Sequence, residues 1–292
     1  MFLLAHISDI HLLPELKLHK KDLLGKRITG YLNLKHNRKY FDPNYLSMVQ
    51  VSMLEHYPDH VAISGDLINL GLNEEVDNAK EWLSNLALPQ NVSLTMGNHD
   101  AYVRGSFDYA CKAYAAWLNG DLDLDSKSNI FPYVKIRDDV AIINLSSAIA
   151  TPMFCAAGYF DETQGRYLSE ILDFCKEKGL FRVINIHHPP YKGAISWYKK
   201  LIGINRFNKI IANHGAELII HGHTHKSTIY YNEYSIPVVG VGSASFFRDG
   251  HSNYNIFSIG RIKNTWKCYL DRYYVNNANE KVQLGNSLCL YC

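Results

Sequence analysis

The chain has no apolar run long enough to span a bilayer, which argues against a helical membrane protein. It has no low-complexity stretch, no evident repeat and no linker: 19 glycines and 9 prolines are spread over 292 residues, so neither a solenoid nor a string of tethered modules is indicated. Charge of neither sign dominates, with 30 Lys and Arg against 28 Asp and Glu. A net charge of +2 gives no sign of a nucleic-acid partner, and no long basic face or extra domain suggests a nuclease that grips a duplex. Cysteine is sparse, with six residues at 111, 155, 175, 268, 289 and 292 and no regular framework. A chain of this length can bury a full core unaided, so all six are expected to be reduced thiols. Cys289 and Cys292 form a lone C-x-x-C without the second pair that tetrahedral zinc requires. No secretory signal is expected, because Phe2-Leu3-Leu4-Ala5 is followed at once by His6, Asp9 and His11. A cytoplasmic protein is the expectation.

What is present is an alternation of short apolar runs with helix-like segments. Leu3 to Ile7, Val61 to Ser64 and Val92 to Met96 read as strands, separated by helices over Pro43 to His56 and Asn73 to Leu86. Val140 to Leu145, Phe181 to Ile186 and Glu217 to Ile220 continue the strands, and Asp161 to Lys178 reads as a helix that an Asp161/Gln164 pair can cap. This rhythm predicts βαβ units and a mainly parallel sheet. From Ser227 to Tyr273 the texture changes to short, aromatic and β-branched strands (227–231, 237–241, 254–259, 265–273), as in an antiparallel meander. Residues 1–275 are read as one domain with two sheets, followed by a tail, 276–292, free to fray, to pair at a dimer edge or to cover the last sheet. Nothing in the pattern bears on oligomeric state.

Half of the 14 histidines fall in five clusters, each where a strand-like run ends: Asp9-Ile10-His11, Gly65-Asp66, Gly97-Asn98-His99-Asp100, His187-His188-Pro189-Pro190 and His221-Gly222-His223-Thr224-His225. In parallel sheets, ligands gather beyond the carboxyl ends of strands. Asp9 and His11 stand two apart, so both can reach one ion if the strand stays extended; His223 and His225 share that spacing. Carboxylate oxygen mixed with imidazole nitrogen suits Zn, Mn, Fe or Co better than Ca. Taken singly the clusters are weak evidence, HGHTH being the strongest because three histidines in five residues have few uses outside metal or proton chemistry, and it is the conjunction that points to chemistry.

The order D-x-H, GD, GNH[D/E], H-x-P, GHxH resembles the calcineurin-like metallophosphoesterases from Ile7 to about Ser245. The HHPP and HGHTH forms are most similar to the bacterial class III phosphodiesterases acting on cyclic nucleotides and glycerophosphodiesters. The resemblance implies a four-layer α-β-β-α sandwich of two facing mixed sheets and a site for two divalent metal ions. It implies that Asp9, His11 and His225 bind one ion, that Asn98, His187 and His223 bind the other, and that Asp66 bridges them. His187 is taken over His188 because the family's ligand stands two positions before the proline. His99, next to Asn98, is expected to protonate the leaving oxygen after in-line attack by a bridging hydroxide. His188 and His221 are supporting candidates, and Asp100 is expected to cap the following turn rather than to orient a neighbour.

Two segments break the rhythm. Residues 16–42 and 191–207 are rich in Lys and Arg interleaved with leucine and tyrosine, and both leave strand ends at the rim, so both are candidate lids. The implied function is a metal-dependent phosphodiesterase acting on a small anionic phosphoester. The lids also suit a nucleotide-sugar or lipid-linked pyrophosphatase of the UDP-diacylglucosamine hydrolase type, and a peripheral contact with lipid. A scaffold that has lost its metals is disfavoured, since every ligand position is filled.

Overall fold

Alternation along β1 (Phe2–Ile7) sets the plan of the molecule. Phe2 and Leu4 enter one buried cluster, while Ala5 and Ile7 enter another on the opposite face. A strand buried on both faces needs a layer on each side. The computed structural model describes residues 1–13, 20–40, 43–122, 130–246, 251, 253–276 and 281–291. Of the segments singled out in the sequence, 16–19 and 41–42 of the first lid, and 277–280 and Cys292 of the tail, lie outside these described residues.

After β1 come α1 (Lys26–Asn37), α2 (Pro43–Leu54), β2 (His60–Ile63), α3 (Asn73–Leu86), β3 (Val92–Leu94), α4 (Ser106–Ala113), β4 (Tyr133–Arg137), β5 (Val140–Asn144) and the short β6 (Gly158–Tyr159). Then follow α5 (Glu162–Glu177), β7 (Phe181–Asn185), the short β8 (Leu201–Ile202), α6 (Ile204–His214), β9 (Leu218–His221), β10 (Thr228–Tyr231), β11 (Pro237–Gly240), β12 (Tyr254–Ile262), β13 (Thr265–Asn276) and β14 (Lys281–Tyr291). One six-stranded sheet has the order β14-β13-β12-β1-β2-β3 and the other β10-β11-β9-β7-β5-β4. In the first, β1, β2 and β3 run parallel; in the second, β5, β7, β9 and β11 do.

Leu4, Ala62, Ile142, Val183, Ile220 and Phe257 fill the space between the sheets. The outer face of the first sheet packs Ile7, Ile63 and Leu94 against Met53, Leu83 and Ala110 of α2, α3 and α4. The outer face of the second packs Ile143, Ile184 and Ile219 against Ile171 and Phe207 of α5 and α6. The result is the expected α-β-β-α sandwich of mixed sheets. Each fully buried Leu or Ile in these clusters contributes roughly 1.5–3 kcal/mol. The expected cap of α5 is present: Asp161 Oδ1 accepts from the Gln164 amide at 2.8 Å, and Gln164 Nε2 donates back to Asp161 Oδ2 at 3.1 Å.

Three features depart from the sequence reading. The β-rich end is not one meander, for β10 and β11 extend the second sheet while β12 and β13 extend the first. Local alternation specifies a strand but not the sheet it joins. Residues 281–291 of the supposed tail form β14, paired antiparallel with β13. Cys289 on that strand is disulfide-bonded, which corrects the expectation of six thiols, while Cys111, Cys155, Cys175 and Cys268 are free.

Candidate metal centre

The carboxyl ends of β1, β2 and β3 meet those of β7 and β9 across the crevice between the two sheets, and all five clusters lie there. Asp9 and His11 do not continue β1 as an extended strand, contrary to the spacing argument. Both have left-handed backbones, φ 52° and 44°, as do Asp66 (56°), His223 (64°) and His225 (51°). Non-glycine residues adopt this region at a cost of about 1–3 kcal/mol each, and such outliers concentrate at functional sites. The turns are held by the Asp9 amide donating to Gly65 O and the His11 amide to Asp66 O, both at 3.0 Å. Gly97 is required because a Cβ there would strike the Asp66 carboxylate.

The side chains converge as two groups. Asp9 Oδ1 lies 3.1 Å from His225 Nε2 and 3.9 Å from His11 Nε2, and the two histidine nitrogens are 3.4 Å apart. Asp66 Oδ2 lies 3.2 Å from His187 Nε2, which is 3.3 Å from Asn98 Oδ1 and 3.2 Å from His223 Nδ1. The same Asp66 oxygen is 4.0 Å from His11 Nε2, so it stands between the groups. All seven residues expected as ligands are thus brought together.

The hydrogen bonds behind these atoms decide what they can hold. His187 Nδ1 donates to Ser64 O at 2.6 Å, His223 Nε2 to Lys199 O at 3.0 Å and His11 Nδ1 to Ile68 O at 3.3 Å. The other nitrogen of each ring then faces the centre, toward carboxylate oxygens or another ring nitrogen, and presents a lone pair whenever the ring is neutral. Asp9 Oδ1 is buried and accepts no hydrogen bond among the described residues. Acceptors crowded against acceptors repel unless a cation lies among them, so the donor set fits two divalent ions. Burial holds His11 down at about 3 and His223 well below its ordinary value, keeping both rings neutral as ligands must be. Burial would also lower His187, but the Asp66 carboxylate outweighs it and raises this ring to about 9, which shows how strongly the spot attracts positive charge.

His99 lies beside Asp66 and His11 rather than within either group. Its Nδ1 donates to Asn69 O at 2.6 Å, which points Nε2 away from that carbonyl, and its ring stacks on Tyr102 at 5.4 Å. Asp100 does not cap the following turn. Its carboxylate accepts from the amides of Asp66, Leu67 and Gly97 at 2.8–3.0 Å and so ties the second cluster to the third; burial pushes it up to about 7. His188 is held by the Ser147 hydroxyl and by Ala156 O, and His221 by Gly222 O, so both support the site from behind.

Over these residues lies a cavity of about 310 Å³, roofed by Gly30, Asn33, Leu34 and Asn37 of α1 and by Ile195 and Lys199. A larger cavity, about 590 Å³, lies near α4 and the start of α5 and contains none of the seven residues. Helix α1 is seated on the His99 stack: Arg27 donates to Leu70 O and Gly71 O at 3.0 and 2.7 Å, Lys26 Nζ sits 4.6 Å over the Tyr102 ring, and Gly30 packs on the Tyr102 hydroxyl.

The profile of calcineurin-like phosphoesterases matches residues 2–227. The chain belongs to the calcineurin-like phosphoesterase family. Among solved structures of similar fold are a dimetal phosphatase from Danio rerio (TM-score 0.65, 12% identity, 99% of this chain and 98% of that one) and the purple acid phosphatase PPD1 of yellow lupin (0.58, 11%, 99% and 53%). A third is GAP50, the anchor in the inner membrane complex of Plasmodium (0.50, 10%, 99% and 88%). No curated protein sequence matches significantly. Family membership and the two donor groups together support a dinuclear divalent metal site in this calcineurin-like phosphoesterase.

Sequence reasoning missed several residues that set the geometry. Ser64, Ile68, Asn69 and Lys199 act through backbone carbonyls, which carry no residue-type signal. Glu75 accepts from the amides of Asn69, Leu70 and Leu72 at 2.9–3.2 Å and shapes the loop that holds His99. An acidic residue in the first turn of a helix reads as an ordinary cap, and nothing in sequence distinguishes this one.

Proposed function

We propose that this protein is a dinuclear metal-dependent phosphodiesterase acting on a small diester, with Asp9, His11 and His225 holding one ion, Asn98, His187 and His223 the other, and Asp66 shared. The observation that carries the proposal is the convergence of imidazole nitrogens and carboxylates on two adjacent points. When bound, two such ions would polarise phosphate oxygens and raise the acidity of the attacking water. His99 then protonates the leaving oxygen as an imidazolium, giving up the Nε2 proton and keeping the Nδ1 proton on Asn69 O, and ends as the neutral ring. Lys199 and the side-chain amides of Asn33 and Asn37 line the space beside the two donor groups and supply donors to phosphate and to a polar, uncharged substituent, while Asn69 Nδ2 donates to Leu12 O at 2.7 Å.

Support for a singly charged diester comes from the lids. Among the described residues, Lys199 is the only Lys or Arg lining the cavity. Lys26 donates instead to Thr151 Oγ1 at 2.7 Å, and Arg27 to loop carbonyls. A diphosphate would meet fewer cations than the composition of the lids suggests, which favours the diester over the pyrophosphate reading. The test is hydrolysis of bis(p-nitrophenyl) phosphate with Mn²⁺, Fe²⁺, Zn²⁺ or Co²⁺. Turnover is expected, and His99→Ala should cost about 10²- to 10³-fold on an alkyl leaving group but roughly tenfold or less on nitrophenolate, which needs no proton. A higher kcat/KM for the monoester p-nitrophenyl phosphate would sink the diester assignment, and inactivity with every metal would sink the hydrolase.

A further inference from the structure

Three segments surround the mouth of the cavity: 23–40, 148–156 and 191–207. None contains Asp or Glu, though Asp22 and Asp42 flank the first in sequence, in a chain whose 28 acidic residues nearly balance its 30 basic ones. The segments are joined to one another. Lys26 of α1 donates to Thr151, and the Ala156 amide donates to Tyr198 O at 2.9 Å. The face of α1 carrying Gly30, Asn33, Leu34 and Asn37 looks into the cavity. At about 100° per residue, Ile28, Leu32 and Lys35 lie on the opposite face, directed away from it.

That outer surface is unusually apolar for one so cationic. Phe154 is 80% exposed, Trp197 77% and Leu24 74%, which are three of the four most exposed large apolar side chains among the described residues. Ile28, Leu32 and Met153 are about half exposed. Lys35, Arg38, Lys192 and Lys200 are exposed among them. Aromatic and aliphatic tips set among cations, with Asp22 at the edge, complement the headgroup layer of an anionic membrane, where the apolar tips enter the acyl boundary and the cations meet lipid phosphate. A polynucleotide would leave the Leu, Ile and Phe tips in water. A second copy of the same face would set four cations against four.

We propose that this rim docks the protein on an anionic lipid surface, with the mouth of the cavity at headgroup level. The docking does not depend on the phosphodiesterase reading, and it is measured without catalysis. Full-length protein is sedimented with vesicles of equal parts phosphatidylglycerol and phosphatidylcholine, and with pure phosphatidylcholine. Partition onto the anionic vesicles is expected to exceed the neutral ones by about tenfold or more, and Lys192→Gln with Lys200→Gln should erase most of that preference. Phe154→Ser with Trp197→Ser should weaken binding to both vesicles about tenfold, with the melting temperature and turnover of a soluble diester unchanged. Equal partition of the wild type onto both vesicles, or none, would overturn the proposal. So would a wild-type dimer in sedimentation equilibrium that the Phe154/Trp197 variant dissolves, since the surface would then be a protein interface.

Discussion

On the floor of the cavity Asp9, His11, Asp66, Asn98, His187 and His223 are each no more than 9% exposed, whereas α1, which roofs it, has no buried residue at all. The floor is crosslinked: Asp100 gathers three amides, the Asp9 Oδ2 accepts the His223 amide across 214 residues, and Ser243 donates to Asp9 O at 2.6 Å. The roof rests on a few polar contacts from Lys26, Arg27 and Gly30. Precision is thus invested where charge must be held against desolvation, while the surface that meets substrate is left thinly packed and able to adapt. On the proposed function, reaction class would rest on the floor and substrate choice on the roof.

This contrast can be broken at the floor first. Asp66→Asn removes the carboxylate shared between the two groups, and kcat/KM for bis(p-nitrophenyl) phosphate should fall by more than about 10³-fold, several kcal/mol of lost stabilisation. Metal content measured alongside should drop below two ions per chain; unchanged loading and activity would remove Asp66 from its assigned role.

Acid should damage the sheets before the roof. Burial lowers His6 to about 3 and His60 well below 6.5, and each imidazole is hydrogen-bonded to a serine, Ser64 and Ser93. Below pH 6.5 the unfolded chain binds protons that the folded one refuses, so stability is full above 6.5 and falls as pH drops. Between 6.5 and 5 the loss is up to about 2 kcal/mol for each group. Urea denaturation at the two pH values measures it. Amide exchange in β1 and β2 should accelerate while that of α1 changes little.

The roof yields to a smaller change. A Cβ at Gly30 would run into the Tyr102 hydroxyl and Leu70. Gly30→Val should lift α1 and reduce kcat/KM about tenfold by misplacing the roof, with little effect on melting temperature. An equally active variant would show that α1 plays no part in turnover. Smallest of all, Ile28→Ser and Leu32→Ser should each shift stability by less than about 0.5 kcal/mol, because neither side chain is buried in the folded protein.

Much of the fold was legible because β1, β5 and β7 alternate or run apolar over whole strands, and because α3 and α5 have clean helical spacing. Helix α6 was missed although Ile204, Phe207 and Ile211 are helically spaced, because its first turn falls in the segment read as the lid 191–207. Helix α1 was hidden among lysines and a mid-helix glycine that makes sense only against Tyr102. All seven expected ligands converge, but by left-handed turns at Asp9 and His11 rather than by the extended strand their spacing suggests.

By itself the sequence determined the strand-helix alternation and, through its resemblance to a family, the layered fold and the residue types that gather at the strand ends, since these rest on periodicity and on residues at fixed offsets. Only the tertiary structure decided which nitrogen of each histidine faces the centre, that Asp100 joins two clusters and that the cations of the lids point mostly away from the cavity. These outcomes depend on backbone carbonyls, burial and helix rotation. Such quantities arise from packing between segments far apart in the chain, and no local pattern of residues encodes them.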